Sequence, residues 1–286
     1  MQENQNMRSN PNPLSQWYRQ PKIYLKLPSG GEFYPTGSLD VSATGEYPVF
    51  AMTAKDELMF KTPDALLNGQ STVDVIKSCI PAILDPWKMP TIDVDAALIA
   101  IRIATYGEGM DINAGCPHCG EENTFTFPLT DWLGNISNFV YESQIQCGDL
   151  TVRVRPYSYR EITKSSLKAF EQQRTIAIIN DDSLDDATKI EKFGESFSRL
   201  TEMTVDIIAG CITMIESPAG NTDDPQHILD FIHNAPSDVF NKVSEHIQGM
   251  KAKIEIEAQN AKCSECEQAF KIPVTMDQSN FFAVRS

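Results

Sequence analysis

The chain has 286 residues, of which 41% are hydrophobic and 22% are charged, and its formal net charge is −15 at pH 7. This ordinary globular composition excludes wholesale disorder, and the length allows two modest domains or one domain with a large insertion. The negative charge disfavours nucleic acid as a partner. The longest apolar run, 96–104, is interrupted by Arg102 and is too short to span a membrane, so no membrane partner is expected.

Residues 1–21 are predicted to form a flexible N-terminal arm. The segment is rich in Asn, Gln, Pro and Ser, and few of its side chains can offset the entropy lost on ordering. Its aromatic pair, Trp17 and Tyr18, is a candidate docking element. The segment lacks the apolar stretch of a secretory signal, so the sequence predicts a cytoplasmic protein.

Residues 22–109 are predicted to form a mixed domain of short strands and helices. Apolar side chains alternate over 23–27, which indicates a strand, and the Pro-Ser-Gly-Gly stretch at 28–31 predicts the turn that ends it. Thr53 is placed to cap a helix that begins at Ala54.

Further helices are predicted in the same domain. One covers 62–67, and the next begins at 71–72 and carries a run of β-branched apolar residues. The most apolar helix runs over about 96–105, with Asp93 or Asp95 as its cap. Its composition predicts that this helix lies in the core.

The second half of the chain is predicted to be mainly helical. Residues 139–157 favour a hairpin with its turn at Gly148-Asp149. Apolar residues then recur at three- and four-residue spacing, which predicts helices over Tyr159 to Ile179, Leu184 to Ile215 and Pro225 to Met250. We therefore expect residues 157–250 to form an antiparallel helical insertion.

Cysteine spacing carries the strongest chemical signal in the chain. There are seven cysteines, and in a reducing cytosol thiols serve as metal ligands or buried apolar groups more readily than as disulfides. Two residues between a pair of thiols is the spacing that lets both sulfurs reach one tetrahedral metal. Two such pairs predict a single Zn²⁺ site, whose ligands are Cys116, Cys119, Cys263 and Cys266.

The flanks of the two pairs repeat one another. Apolar and polar residues alternate before each pair, at Met110, Ile112 and Ala114 and again at Ile254, Ile256 and Ala258. After the pairs come Phe125-Thr126-Phe127-Pro128-Leu129 and Phe270-Lys271-Ile272-Pro273-Val274. The repeat predicts two hairpins joined by one metal.

Such hairpins form a zinc ribbon, but the stretch between the pairs far exceeds the roughly 15–20 residues of a standard ribbon loop. The predicted fold class is therefore α+β, with a split zinc-ribbon domain at 110–156 plus 251–286 and the helical insertion between its halves. Four thiolates leave no position for water, so the zinc is expected to be structural.

Alternatives to this site remain open at the level of sequence. Both pairs could be reduced thiols without metal, or redox pairs, although a redox pair normally opens a helix in a thioredoxin-like pattern. His118 could replace one sulfur, but a solvated spacer role fits better because four thiols are available. The remaining cysteines are expected to be small buried residues: Cys79, Cys147 and Cys211.

Catalytic motifs are missing from the sequence. It contains no G-x-S-x-G, no H-E-x-x-H and no phosphate-binding loop with its lysine. Three of the four histidines lie in the predicted helical insertion, where packed or surface roles are more common than catalysis. We therefore expect a protein that is not an enzyme.

A set of short segments recurs together in one known family. The segments are LKLPSGGEFY (25–34), MTAKDE (52–57), KTPDALLNG (61–69), DPW (85–87) and IRIATYGE (101–108), with the first Cys-x-x-Cys pair and the later pair followed by Asn-Phe-Phe at 280–282. In combination they resemble the baseplate hub assembly proteins of T-even-like contractile-tailed bacteriophages. The resemblance covers roughly 22–285 and is strongest over 22–130.

The resemblance implies a phage protein made in the host cytoplasm that is a component of the baseplate hub or a chaperone for hub or tape-measure proteins. Its expected partners are other baseplate hub or tail proteins. Two other classes are weighed against this one: a zinc-ribbon nucleic-acid-binding regulatory protein, which the net charge opposes, and an enzyme with a zinc-stabilised lid, which would need an open zinc position.

Overall fold

A computed structural model describes residues 12–60, 69–179, 185–254, 258–272 and 282. Within these residues the chain mixes helices with small antiparallel sheets, so the predicted α+β class is confirmed at that level. Some sequence predictions fall outside the described residues: part of the arm (1–11), the helix at 62–67, Ile256, Pro273, Val274 and the Asn-Phe of 280–281.

The strands pair as β1 with β2, β3 with β4, β9 with β10, and β5 through β8 in order, all antiparallel. Their bounds are β1 (Pro21–Lys26), β2 (Glu46–Phe50), β3 (Gly109–Gly115), β4 (Glu122–Pro128), β5 (Gln144–Cys147), β6 (Leu150–Val154), β7 (Ile212–Ser217), β8 (Gly220–Thr222), β9 (Gln259–Lys262) and β10 (Ala269–Ile272). The helices are α1 (Ala54–Phe60), α2 (Gln70–Cys79), α3 (Thr91–Tyr106), α4 (Leu129–Ser137), α5 (Tyr159–Ile179), α6 (Asp186–Cys211), α7 (Pro225–Asn234) and α8 (Ser237–Ala252).

Helix α3 forms the centre of the N-terminal region. A helix that is apolar on every side must be covered on every side, and residues 96–101 are all at most 1% exposed. β1, β2 and α2 pack around it. The helix begins at Thr91 with Pro90 as its N-cap, so the predicted cap at Asp93 or Asp95 is wrong. The buried character predicted for this helix is confirmed.

Asp93 has a different role, because its side chain binds a loop. The turn predicted at 28–31 is confirmed, with φ of +66° at Gly30 and +87° at Gly31. Asp93 accepts a hydrogen bond from the Ser29 N–H at 2.8 Å and another from the Ser29 hydroxyl at 2.5 Å. The carboxylate therefore fixes this turn to the first turn of α3.

The residues just before β1 are held against the core through Arg19. Its guanidinium donates to the carbonyls of Ala51 and Ser78, each at 2.5 Å, and lies 5.7 Å from the centre of the Phe50 ring. Nearby, the predicted cap of α1 is confirmed, since the Thr53 hydroxyl accepts from the Asp56 N–H at 3.3 Å.

The β5–β6 hairpin is confirmed, with Gly148-Asp149 as its turn and Cys147 opposite Leu150. Its sheet is completed by residues from the segment predicted to be helical. The helix predicted to reach Ile215 ends at Cys211, and Ile212–Ser217 forms β7 beside β6. The run Ile212-Thr-Met-Ile is apolar in either structure, and pairing with β6 decides in favour of a strand.

The helix predicted over 225–250 is also divided. It ends at Asn234 and begins again at Ser237, because Pro236 cannot supply the N–H that a continuous helix needs. Helices α7 and α8 cover β5–β7 and form an apolar cluster with them, separate from the cluster around α3. The helix predicted over 159–179 is confirmed as α5.

Helices α5 and α6 form an antiparallel pair, in which Gln172 Nε2 donates to the Ser196 carbonyl at 3.2 Å. Arg155 binds the base of this pair. Its guanidinium bonds to both carboxylate oxygens of Glu161, at 2.7 and 2.9 Å, and to the Gly210 carbonyl at 2.6 Å. One side chain thus connects β6 to the beginning of α5 and the end of α6.

Candidate metal centre

The first cysteine pair lies in the loop between β3 and β4. The Cys116 N–H donates to the Glu121 carbonyl at 2.8 Å, and the Gly120 N–H donates to the Cys116 carbonyl at 2.9 Å. Gly120 has a φ of +80°, a conformation that glycine adopts without strain. These bonds fold the loop tightly around the two cysteines.

The second pair lies in the loop between β9 and β10 and copies the first. The Cys263 N–H donates to the Gln268 carbonyl at 3.0 Å, as Cys116 does to Glu121. Glu267 occupies the place of Gly120 and has a φ of +59°, which is strained for a residue with a side chain. The strands also share a register, since Gly115 pairs with Glu122 and Lys262 with Ala269.

The two loops meet at their sulfur atoms. The distance from Cys116 Sγ to Cys266 Sγ is 3.6 Å, and the distance from Cys119 Sγ to Cys263 Sγ is also 3.6 Å. All four sulfurs lie within 4.8 Å of one another. A tetrahedral zinc with Zn–S bonds of about 2.3 Å separates its sulfurs by about 3.8 Å. The donor set therefore has the chemistry and the spacing of a four-thiolate site.

The four sulfurs differ in their surroundings. Cys116 and Cys263 are 3% and 2% exposed, whereas Cys119 is exposed and Cys266 is intermediate. The backbone N–H groups of Cys266 and Glu265 donate hydrogen bonds to the Cys263 sulfur, with the larger effect from Cys266. These bonds lower the pKa of the Cys263 thiol to about 6.

The pKa of Cys119 moves in the opposite direction, to about 12. The N–H of Glu121 acts to lower it, but desolvation and the neighbouring thiols of Cys266 and Cys263 outweigh that effect. Like charges at this distance cannot all form without compensation. A divalent cation would supply the compensating charge and allow every thiol to ionise.

Asn123 joins the two loops and was not among the residues predicted from the sequence. It lies on β4, four positions after Cys119, and is 6% exposed. Its amide oxygen accepts from the N–H and the hydroxyl of Ser264, at 2.8 and 2.9 Å. Its only signal in the sequence is a polar residue where the strand alternation favours an inward side chain.

Comparison with known protein families gives a match over nearly the whole chain. A family model described as T4 bacteriophage base plate protein matches residues 20–283. The chain belongs to this family. No curated protein matched in a separate comparison, and no solved structure matched.

All four cysteines of the candidate centre lie within the part of the chain that matches the baseplate family. The resemblance noted from the sequence is thereby confirmed, and membership supports a structural role in the baseplate of the phage tail. In the described part of this baseplate protein, no helix is long and apolar enough to cross a membrane.

The four-sulfur cluster does not include the other sequence candidates. His118 is exposed, and its backbone N–H donates to Cys116 Sγ at 3.4 Å. Cys79, Cys147 and Cys211 are buried elsewhere in the baseplate protein, as predicted. Burial raises the pKa of Cys79 and of Cys211 to about 12, which keeps both thiols protonated and unreactive.

Proposed function

We propose that this protein is a structural or assembly protein of the baseplate hub, and that it acts by binding other hub or tail proteins. It would be a hub component or a chaperone for hub or tape-measure proteins, made in the host cytoplasm and active without catalysis. The family match over residues 20–283 is the observation that carries this proposal.

An apolar stripe on α6 supports binding to another protein. The stripe consists of Ile190, Phe193, Phe197 and Leu200, which are 74%, 51%, 63% and 36% exposed. Their spacing of three and four residues places them on one side of the helix. Aromatic and aliphatic side chains grouped on a surface are typical of protein interfaces. Exposed Leu14, Trp17 and Tyr18 form a second apolar group before β1.

The proposed cofactor is one structural Zn²⁺ held by the four cysteines. The sulfur distances and the repeated loop geometry support it. When bound, the ion would neutralise the thiolates and join the two hairpins. Cys116 and Cys119 would hold it from the first hairpin, and Cys263 and Cys266 from the second. With four sulfur ligands no position remains for a reacting water.

The proposed domain division follows the same reasoning. The arm would cover 1–21, the mixed domain 22–109, the split zinc ribbon 110–156 plus 251–286, and the insertion 157–250. The shared register of the β3–β4 and β9–β10 hairpins supports the split ribbon. Strands β7 and β8 lie within 157–250, where β7 pairs with β6 and β8 pairs with β7, so the insertion carries strands as well as helices.

Mass spectrometry of purified phage particles tests the proposed role. A hub component is expected in the particle at a few copies. A chaperone is expected to be missing from the particle, while deletion of its gene stops tail assembly. Normal tails assembled without the protein would contradict both forms of the proposal.

Charge substitutions on the stripe test where the partner binds. Phe193→Asp and Phe197→Asp should each reduce co-purification with other baseplate proteins at least tenfold, because a charge in an apolar interface is costly. Ser198→Asp is the matched control, since Ser198 is exposed on the same helix outside the stripe. Equal co-purification in all three variants would contradict the assignment of this surface.

A further inference from the structure

Asn123 uses every hydrogen-bonding position of its amide. The oxygen accepts from the Ser264 N–H at 2.8 Å and from the Ser264 hydroxyl at 2.9 Å. The nitrogen donates to the Glu121 carbonyl at 2.9 Å and lies 3.6 Å from Cys263 Sγ. Two donors and two acceptor positions are the full capacity of an asparagine side chain. Burial without this set of partners would be costly.

Backbone chemistry determines the orientation of this amide. The Ser264 N–H can only donate, so the amide oxygen must face it. The nitrogen is then directed towards the Glu121 carbonyl and the Cys263 sulfur, which both accept. A first-hairpin side chain thus contacts the second loop at its backbone and at one of its sulfurs.

The arrangement is not symmetric, although the two hairpins share a register. Phe270 follows Cys266 by four positions, as Asn123 follows Cys119. Phe270 has no amide and instead packs edge-on against Phe125, with ring centres 5.9 Å apart. Among the residues that the structure describes, only the second loop is therefore held by a side chain of this kind from the opposite hairpin.

We propose that Asn123 is the positioning residue of the metal centre. It holds the second loop in place through Ser264 and donates a hydrogen bond to the Cys263 thiolate, so that an incoming thiophilic dication such as Zn²⁺ meets a preformed site. This inference rests on the proposed zinc centre. Residues that support metal ligands in this way typically change metal affinity by about 10–100-fold when they are lost.

Zinc competition against a chromophoric chelator, with full-length protein, tests the role in binding. Asn123→Ala should weaken Zn²⁺ binding by about 10–100-fold. Asn123→Asp should weaken it as well, because a carboxylate oxygen replaces the N–H that faces Cys263. Thr124→Ala is the matched control and should bind normally, since Thr124 is exposed and its hydroxyl donates to Asn113 Oδ1 on the neighbouring strand, at 2.9 Å.

Hydrogen exchange at the Ser264 amide, measured in zinc-loaded protein, distinguishes the two roles of the Asn123 side chain. One role is to hold the second loop through Ser264, and the other is to donate a hydrogen bond to Cys263. Exchange should be faster in Asn123→Ala, which removes the acceptor, and near the wild-type rate in Asn123→Asp, which keeps it. Wild-type affinity and wild-type Ser264 exchange in Asn123→Ala would overturn the inference. A wild-type protein that binds no Zn²⁺ would instead overturn the proposed centre itself, so the two failures are distinguishable.

Discussion

The carboxyl group of Asp93 is fully buried and links a turn to the central helix. Burial raises its pKa to about 6, although the hydrogen bonds from Ser29 act to lower it. An unfolded aspartate titrates near 3.9, so the folded chain binds the proton more tightly than the unfolded chain does. The associated stability is present below about pH 4 and is lost as the pH rises through 6.

Asp93→Asn should remove this pH dependence. From pH 4.5 to 7, the wild type should lose about 2 kcal/mol of unfolding free energy relative to the variant, since each pKa unit is worth about 1.4 kcal/mol. Urea unfolding of both proteins at several pH values measures this. Titration of the thiols cancels in the comparison, and a constant difference across the range would contradict the prediction.

Glu267 adopts a backbone conformation that suits glycine, and its counterpart in the first loop is Gly120. Glu267→Gly should therefore stabilise the protein by about 1 kcal/mol, because the left-handed conformation costs a residue with a Cβ about that much. Thermal unfolding would show a higher Tm. Glu267→Ala is the control, since it keeps the Cβ and removes only the exposed 3.2 Å ion pair with Lys262. Equal Tm values for the two variants would contradict strain at this position.

At the residue scale, the fixed spacing within each cysteine pair was informative about which side chains come together. The Cys-x-x-Cys pairs identified the four sulfurs that meet in the structure. The role of Asn123 was not predicted, because its partner, Ser264, is remote in sequence and no spacing rule connects the two residues. Asp93 was recognised as a residue at a helix start, but the sequence could not show that its partner would be a distant turn.

At the scale of elements, the Arg155–Glu161 pair determines how the α5–α6 pair joins the sheet. Both side chains are about one quarter exposed. Glu161 also accepts from the Ser158 N–H at 2.7 Å, which caps α5. The interaction therefore combines a bidentate ion pair with a helix cap.

Arg155→Met should destabilise the protein by about 2–3 kcal/mol, because it leaves the Glu161 carboxylate largely buried without its cation. Chemical denaturation measures the loss. The control is Arg153→Met on β6, two positions before Arg155. Arg153 and Glu216 form a more exposed pair at 2.6 Å, and its loss should cost less than about 1 kcal/mol. Equal losses in the two variants would count against a special role for Arg155.

Helices with an unbroken three- and four-residue pattern were predicted well, as α5 shows. Errors occurred where an apolar run continued past the end of a helix. Ile212 and Ile215 fit a helix as well as a strand, and only pairing with β6 distinguishes the two. Proline at 236 was the available signal for the break between α7 and α8, and its missing N–H explains why the helix stops there.

On the scale of the whole molecule, the proposed zinc centre connects the middle of the chain to its end. Cys266→Ser should abolish stoichiometric zinc and lower the unfolding free energy by about 3–5 kcal/mol, the scale of losing a cross-link that closes a long loop. Elemental analysis and thermal unfolding measure the two effects. His118→Ala should change neither, because His118 is exposed and only its backbone N–H contacts a sulfur. Zinc retained by Cys266→Ser at wild-type stability would contradict the four-ligand assignment.

The architecture was predictable in part. The repeated flanks located the first hairpin and the second strand of the other one, β10. The flank predicted before the second pair was wrong, because Ile254 lies in a turn and β9 begins only at Gln259. The four-stranded sheet was not predictable as a whole, because β7 joins β6 across 63 positions between Arg153 and Glu216. The pairing of strands this far apart in sequence depends on the burial of their apolar side chains against α7 and α8. Such burial leaves no local pattern in the sequence.

The separation of the two loops has a consequence for biosynthesis. Cys116 and Cys266 are 150 positions apart, and a ribosome adding about 5–20 residues per second needs roughly 8–30 s to make that stretch. During this interval the first hairpin presents two thiols that have no partners yet. Closure of the proposed centre therefore has to wait until the second cysteine pair has been synthesised.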